Sequence, residues 1–495
     1  MFCRSWSYAT VVGIAAALAT GPAGAQSVTK EQIDAMQAQI QALQRELHAM
    51  KKKVNTAERK AERAYTAAPR ATTKAPKQPP TAVAKMSSGN QPSICTPDGL
   101  NCVGITSRLH FDVGGYSYSP NTPATAPQHL DSGVNARRAR IGVVGTFMRD
   151  WHYALIYDFG GSTDATPASG IENAYLSYTG IKGLAIEGGY MDLPYTLDEA
   201  TSSNDIMFME RASSQAIAAG IAAGDNRSTF GLRWNNDRVW LGGYVTGPTS
   251  GANHSGATSS EQYGAVGRAA FQLVDNGYAS LHIGGDAEFL FKPSHNYVTN
   301  TQTLTLSDRP ELRIDPTSIL STGALANVSG AQVYSAEAAA GYGPLFFQGE
   351  YFYYNVDREG WTGLPSLQFN GGYAQASWVI TGESRKYKPG SGAYSGIVPA
   401  NPVTPAGDGL SGWGAWELAA RYSVIDLNDQ LGTSGGAAGG TQTVYTLGLN
   451  WYVNRNIRFM LDYLHGNIDK QASPTNIADV GAKFDAVAMR TQIAF

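Results

Sequence analysis

From about residue 105 to the end, the chain alternates apolar and polar side chains with a period of two, and this feature most narrows the folds open to it. In "TVYTLGLNWYV", Tyr445, Leu447, Leu449, Trp451 and Val453 point one way, and Thr446, Gly448 and Asn450 the other. After the turn "NRN", Ile457, Phe459, Leu461 and Tyr463 oppose Arg458, Met460 and Asp462. Trp416, Leu418, Ala420 and Tyr422 oppose Glu417, Ala419 and Arg421. The last strand sets Val487, Met489, Thr491, Ile493 and the terminal Phe495 against Arg490 and Gln492. One face is apolar with aromatics near its ends, and the other is polar or charged.

A soluble sandwich also alternates, but its connections are usually of similar length. Here tight turns ("MRD" 148–150, "GIKG" 180–183, "NND" 235–237, "VDNG" 274–277) alternate with long loops rich in Gly, Ser, Thr and Pro, such as 247–262 and 292–331. Short turns on one rim, long loops on the other and strands of about ten residues describe an antiparallel transmembrane β-barrel of an outer membrane. Hairpin counting predicts about sixteen strands over 105–495, a size that leaves an aqueous channel. The stretch 381–412 is long for a turn on the tight-turn rim, so the count carries a tolerance of two strands. The 56 glycines and 10% aromatics fit an all-β chain with many turns.

Residues 1–25 have the form of a secretory signal: Arg4, an apolar run from Val11 to Leu18, and the small residues "AGA" at 23–25. No run of eighteen apolar residues follows them. Export would leave Cys95 and Cys102 in "CTPDGLNC", read as a disulfide staple around the Pro-Asp-Gly turn rather than two free thiols. Across 26–58, Ile33, Ile40, Leu47 and Val54 take one heptad position, and Met36, Leu43, Met50 and Ala57 the other, the seam of a coiled coil. The linker, 59–104 including the staple, is rich in Ala, Pro, Lys and Thr. Between Lys51 and Lys85 ten Lys and Arg stand against two Glu, ten minus two giving +8. Such a run is usually just solvated, but in the periplasm it also suits an anionic cell-wall polymer.

An enzyme reading has little support: there is no HExxH, P-loop or metal-spaced Cys/His cluster, and hence no cofactor expectation. No basic aromatic platform supports nucleic-acid binding.

The segments "ARRARIGVVGTFMRDWHYALIYDF", "IENAYLSYTG", "ATSSNDIMFMER", "TGESRKYKPG", "GAWELAARY" and "TLGLNWYVN", in this order, resemble the phosphate-selective porin O/P family. The resemblance implies a homotrimeric, sixteen-stranded channel in the outer-membrane lipid of a Gram-negative bacterium, passing small anions such as phosphate. It also implies loops folded inward to a constriction, with the N-terminal coil an addition in the periplasm. Arg211, within the third long loop between about Met191 and Asn226, matches the family's central constriction arginine, although an isolated loop arginine is ordinarily only solvated. Met207, Phe208 and Met209 would then pack that loop on the wall. Arg137 and Arg138 match paired constriction arginines, and Arg140 stands where the phosphate pores have an aromatic. By alternation Arg138 and Arg140 share the lumen face, opposite Ala139, Ile141 and Val143. Arg108, with His110 and Asp112 on its face, matches another pore arginine, and Glu172 a constriction aspartate. Arg309 and Arg313 resemble part of an external arginine ladder. The chain departs from the family at His152 and Glu199, where the phosphate pores place inner lysines. Asp192, Asp198, Asp205 and Glu210 add negative charge nearby. General solute passage and an envelope tether through the coil and basic linker are therefore the alternatives.

Overall fold

The computed structural model describes residues 82–86 and 91–495, apart from 127, 161–169, 225, 251–255, 360–363 and 407–408, together with the isolated helical positions Ala49, Lys51, Lys52 and Thr56. The signal segment, nearly all of the coiled coil and the linker up to 81 lie outside the described residues.

Among the described residues, sixteen strands form one antiparallel sheet. They are β1 (Cys102–Pro120), β2 (Gly133–Phe147), β3 (Trp151–Asp158), β4 (Gly170–Ile181), β5 (Leu184–Met191), β6 (Arg227–Asn235), β7 (Val239–Thr249) and β8 (Tyr263–Asp275). The second half comprises β9 (Ala279–Lys292), β10 (Val328–Tyr342), β11 (Leu345–Arg358), β12 (Leu367–Val379), β13 (Ala415–Asp429), β14 (Ala437–Tyr452), β15 (Ile457–Asp469) and β16 (Ala482–Ala494). Each pairs with its sequence neighbour, and β16 returns to β1 with Ala494 opposite Arg108 and Ala482 opposite Pro120, closing the barrel. Closure satisfies every strand edge internally, which a sheet standing in lipid requires.

Local chemistry sets the tight turns. Lys182 and Gly183 join β4 to β5, where Ile181 faces Leu184. Gly183 has φ 78°, and a Cβ there would lie 2.5 Å from the Asn235 carbonyl oxygen, so only glycine fits. The outward face follows the alternation. Leu418, Leu447 and Leu461 are exposed between two tiers of rings. Trp416, Trp451 and Phe459 stack at centroid distances of 5.4 and 5.7 Å toward the tight-turn rim, and Tyr422 meets Tyr445 at 5.2 Å on the other side. An apolar band between aromatic girdles is the surface a bilayer stabilises.

The inward face departs from the sequence expectation of polar residues throughout. Phe352, Tyr354, Phe369, Ile425, Val444, Met460 and Leu464 are buried inside the barrel. They form floors for inserted segments. The loop 192–226 carries α1 (Leu197–Ala200) and α2 (Ser213–Ala222), whose Ile217 and Ile221 join the cluster around Phe352 and Phe369. Leu312 and Ile319 of the loop 293–327 pack with Met209 on Val444, Met460 and Leu464.

The third insertion comes from the opposite rim. Segment 380–414, the irregularity in the strand count, adds no barrel strand. Its hairpin Tyr387–Lys388/Ala393–Tyr394 enters the lumen, where the Tyr394 ring meets Phe346 at 4.7 Å. Trp240 Nε1 donates to Gly390 O at 3.2 Å, and Arg268 donates to the carbonyls of Ser391 and Gly392 at 3.1 and 2.7 Å.

Within the stretch read as linker, Val83–Met86 and Pro92–Cys95 are strands that extend the β1 edge at the tight-turn rim, with Ser93 opposite Gly104. Cys95 and Cys102 form a disulfide, and the ladder begins at Cys102 rather than at 105. Composition marks an extended spacer here, but extended backbone next to an open strand edge can pair with it.

Candidate functional site

The backbone of 204–210 is held by donors from β13, β14, β15 and β16. Arg458 donates to the carbonyls of Asn204, Ile206 and Met207 at 3.3, 2.8 and 3.3 Å. Asn450 also reaches Met207 O, Gln492 reaches Asn204 O, and Arg490 reaches Met209 O. Arg421 of β13 donates to Glu210 O at 2.9 Å, with its guanidinium 4.7 Å from the Phe208 ring centroid. In return Asp462 accepts from Met209 N at 2.8 Å. Met207, Phe208 and Met209 are buried against the wall. Each hydrogen bond to a charged group contributes ~1.5–3 kcal/mol, so this loop is a fixed part of the lumen.

Arg421, Arg458 and Arg490 had only a place on the polar face in the sequence. They are loop clamps. Their places on β13, β15 and β16 were readable, but the carbonyls they reach were not.

A bulge shapes the facing wall. His110 pairs with Arg138 and Asp112 with Asn135, so Ala136 and Arg137 together oppose Phe111. The extra residue breaks alternation and turns Arg137 inward beside Arg138 and Arg140, a consequence strict period-two reading does not contain.

The inward arginines then divide into two groups. Arg108, Arg140 and Arg211 line one cavity of about 200 Å³, together with Thr201, Ser202 and Ser203. Arg108 donates to Ser203 Oγ at 2.6 Å and Ser202 Oγ at 3.4 Å. Arg211 donates to the carbonyls of Asp198 and Thr201 at 3.2 and 3.0 Å and lies 3.3 Å from Glu199 Oε2. Thr196 caps α1 by accepting from Glu199 N at 3.2 Å, which presents Glu199 to this cavity. Burial raises the Asp198 carboxyl above its ordinary value, opposed by Arg211. Arg140 holds Asp158 at 2.7 Å and also pairs with Glu172. Asp192 and Glu199 line the same cavity, so its charge is mixed.

The other group surrounds Glu210. Its carboxylate accepts from Arg137 at 2.8 and 3.2 Å and from Arg490 at 2.7 Å, with Arg313 at 3.8 Å. Arg313 also pairs with Asp308 at 2.7 Å. Arg309 and Arg313 are thus on an inward-folded loop, Arg309 largely buried, rather than on an external ladder. His152 sits near the tight-turn end of β3, where Nε2 meets Thr179 Oγ1 at 3.0 Å, and does not line the Arg211 cavity that Glu199 joins.

Toward the tight-turn rim a second cavity, of about 340 Å³, is lined by Asn204, Asp205, Arg455, Arg458 and Gln492, and it shares Arg108 with the first. Arg385 of segment 380–414 ties this region together, donating to Asp205 O at 2.6 Å and gripping Glu417 at 2.8 and 3.0 Å.

Among the described residues, Asp286, Glu337 and Glu350 are close enough to share a cation. Their oxygens already accept from Thr196 N, Ser335, Arg268, His282, Leu197 N and Tyr373. That network anchors α1 and Arg268.

A closed antiparallel barrel with an outward apolar band, long loops on one rim and internal cavities lined by charged and polar side chains is an outer-membrane channel of the porin class. A family model, phosphate-selective porin O and P, matches residues 103–495. The chain belongs to this family, and its place is the outer membrane of a Gram-negative bacterium. It is similar to porin O of Pseudomonas aeruginosa, 25% identical over 413 residues that cover 76% of this chain and 87% of that protein. An uncharacterized protein of Caulobacter vibrioides is 26% identical over 397 residues, covering 78% of this chain and 73% of that one. Among solved structures, OmpT of Vibrio cholerae aligns with a TM-score of 0.48 at 12% identity, covering 80% of this chain and 98% of that chain.

Proposed function

We propose that the protein passes small anions by diffusion, with the cavity bounded by Arg108, Arg140 and Arg211 as its selective section, and that it works as a homotrimer. The observation that carries this reading is convergence. Three guanidiniums from three separate elements meet one cavity of about 200 Å³ that also has three hydroxyl side chains. Such donors replace an anion's hydration by charge-assisted hydrogen bonds without a chemical step. The tight-turn rim is periplasmic in this class, so the two cavities sharing Arg108 form a route from the constriction to the periplasmic mouth. Phosphate is the first permeant to try, given the family's description.

A second reading, a porin for small solutes of either charge, is favoured by Glu199 and Asp192 in the same cavity. One opposing charge at such a site shifts an anion's energy by about 1 kcal/mol or more. Single-channel reversal potentials in a salt gradient, with added inorganic phosphate, separate the two. Anion preference that weakens in Arg211→Ala and Arg140→Ala supports the first reading. A wild-type potential in both variants overturns it.

A further inference from the structure

Consecutive residues at the end of 204–211 carry opposite charges into opposite surroundings. Arg211 enters the cavity beside Glu199 and Asp198, while the Glu210 carboxylate lies among Arg137, Arg138, Arg313 and Arg490. Glu210 is 6% exposed and is gripped by two nitrogens of Arg137 and one of Arg490. Two further acids are bound to arginines of the same group. Asp112 forms a two-pronged pair with Arg490 at 2.6 and 2.7 Å, and Asp308 pairs with Arg313 at 2.7 Å. The four guanidiniums and three carboxylates sum to +1, and removing the Glu210 charge makes that +2. Planar two-pronged guanidinium contacts on one carboxylate are also the contacts a free oxyanion receives.

We propose that Arg137, Arg138, Arg313 and Arg490 form a second anion site, on the extracellular side of the Arg211 cavity, and that Glu210 occupies it as a tethered carboxylate which limits how strongly free anions are held. The proposal rests on the anion-conducting reading above and assigns Glu210 as its attenuator. A mobile anion must compete with a carboxylate whose local concentration is fixed by the loop. Burial alone would raise the Glu210 carboxyl, but the four arginines outweigh it and hold it well below the ordinary range, so the mask stays charged. A weakly held anion leaves quickly, and conduction needs entry and exit alike.

The test uses purified full-length protein in planar bilayers with chloride current and inorganic phosphate as probe. Glu210→Gln keeps the shape and removes the charge. It should strengthen anion preference and lower the half-inhibiting phosphate concentration about tenfold, the size expected of one partly screened charge at such distances. Arg137→Gln combined with Glu210→Gln restores the local charge and should return both readouts toward wild type. A loop that had merely loosened would instead show larger conductance with weaker anion preference, and that result overturns the proposal. Wild-type values in Glu210→Gln, with Arg211→Ala still altered, also overturn it while leaving the anion reading in place. If Arg211→Ala and Arg140→Ala are silent as well, both fall.

Discussion

Two stretches of the barrel wall carry charged residues on their inward face, yet they do opposite things. On β1 and β2 the inward series includes Arg108, His110, Asp112, Arg138 and Arg140, and Arg108 and Arg140 open onto the two internal cavities. On β9, β10 and β11 it includes His282, Asp286, Glu288, Glu337 and Glu350, all buried beneath α1, α2 and segment 380–414. Glu350 accepts from Leu197 N, Asp286 from Thr196 N and Glu288 from Ala222 N, while Glu337 pairs with Arg268 at 2.8 Å. A polar lumen residue therefore has two fates. Covered by an insertion, it anchors that insertion; uncovered, it borders the path. Carboxylates suit the first fate here because inserted segments bring backbone N–H groups that lack partners.

The sharpest way to break the comparison is to uncover the acidic wall. Arg268→Ala leaves Glu337 and Asp286 without their buried cation, a loss of about 3–5 kcal/mol. The folded band in unheated gels should convert at a lower temperature. Channels that do insert should show higher conductance, because the hairpin at 387–394 loses its grip. Unchanged melting and conductance would mean that the acidic wall is not an anchor.

Next in size is Arg211→Glu, which places a third acid beside Glu199 and Asp198. Reversal potentials should move from anion toward cation preference. The change should leave gel mobility of the folded form unaltered, since Arg421, Arg458 and Arg490 still hold the loop. A wild-type potential would move Arg211 out of the path and into the anchoring set.

A smaller effect follows from pH. The Glu210 carboxyl is depressed in the folded state, so its pairing contributes stability that is present above the unfolded value, about 4.3, and is lost only as pH falls through the lower folded value. Conductance steps set by this loop should therefore stay constant from neutral pH down to about that value and become noisy only in stronger acid. Arg137→Gln should bring the onset of noise to higher pH.

The smallest expected change is at Lys388, whose pair with Asp205 at 3.1 Å is half exposed. Exposed pairs contribute ~0–1 kcal/mol, so Lys388→Ala should match wild type in melting and conductance. Arg385→Ala, removing a buried clamp on Glu417 and Asp205, should not.

The barrel itself was legible in one dimension because its rule is local. Side chains alternate across a strand, tight turns select one rim, and lipid demands an apolar band with ring-bearing ends, so the pattern around Trp416, Trp451 and Phe459 already implies the wall. Family motifs named Arg108 and Arg211, alternation put Arg140 on the lumen face, and the three meet in one cavity. They also named Arg137 and Arg138, which belong to a different group around Glu210. The inward path of 380–414 could not be read from its composition, since its direction depends on Trp240, Arg268 and Phe346 far away in the chain.

What the sequence determined alone is thus the strand alternation, the outward band, the rim asymmetry and the supply of lumen charges. Only the tertiary structure decided which of those charges remain open to the path. Arg421 spends its donors on Glu210 O and Glu311, Arg458 on the backbone of 204–207, and Arg490 on Asp112, Met209 and Glu210. A bulge opposite Phe111 adds Arg137 to the inward face. The physical reason is range. Alternation is set by adjacent backbone dihedrals, whereas an arginine's role depends on which carbonyl or carboxylate a distant inserted segment places within 3 Å of it.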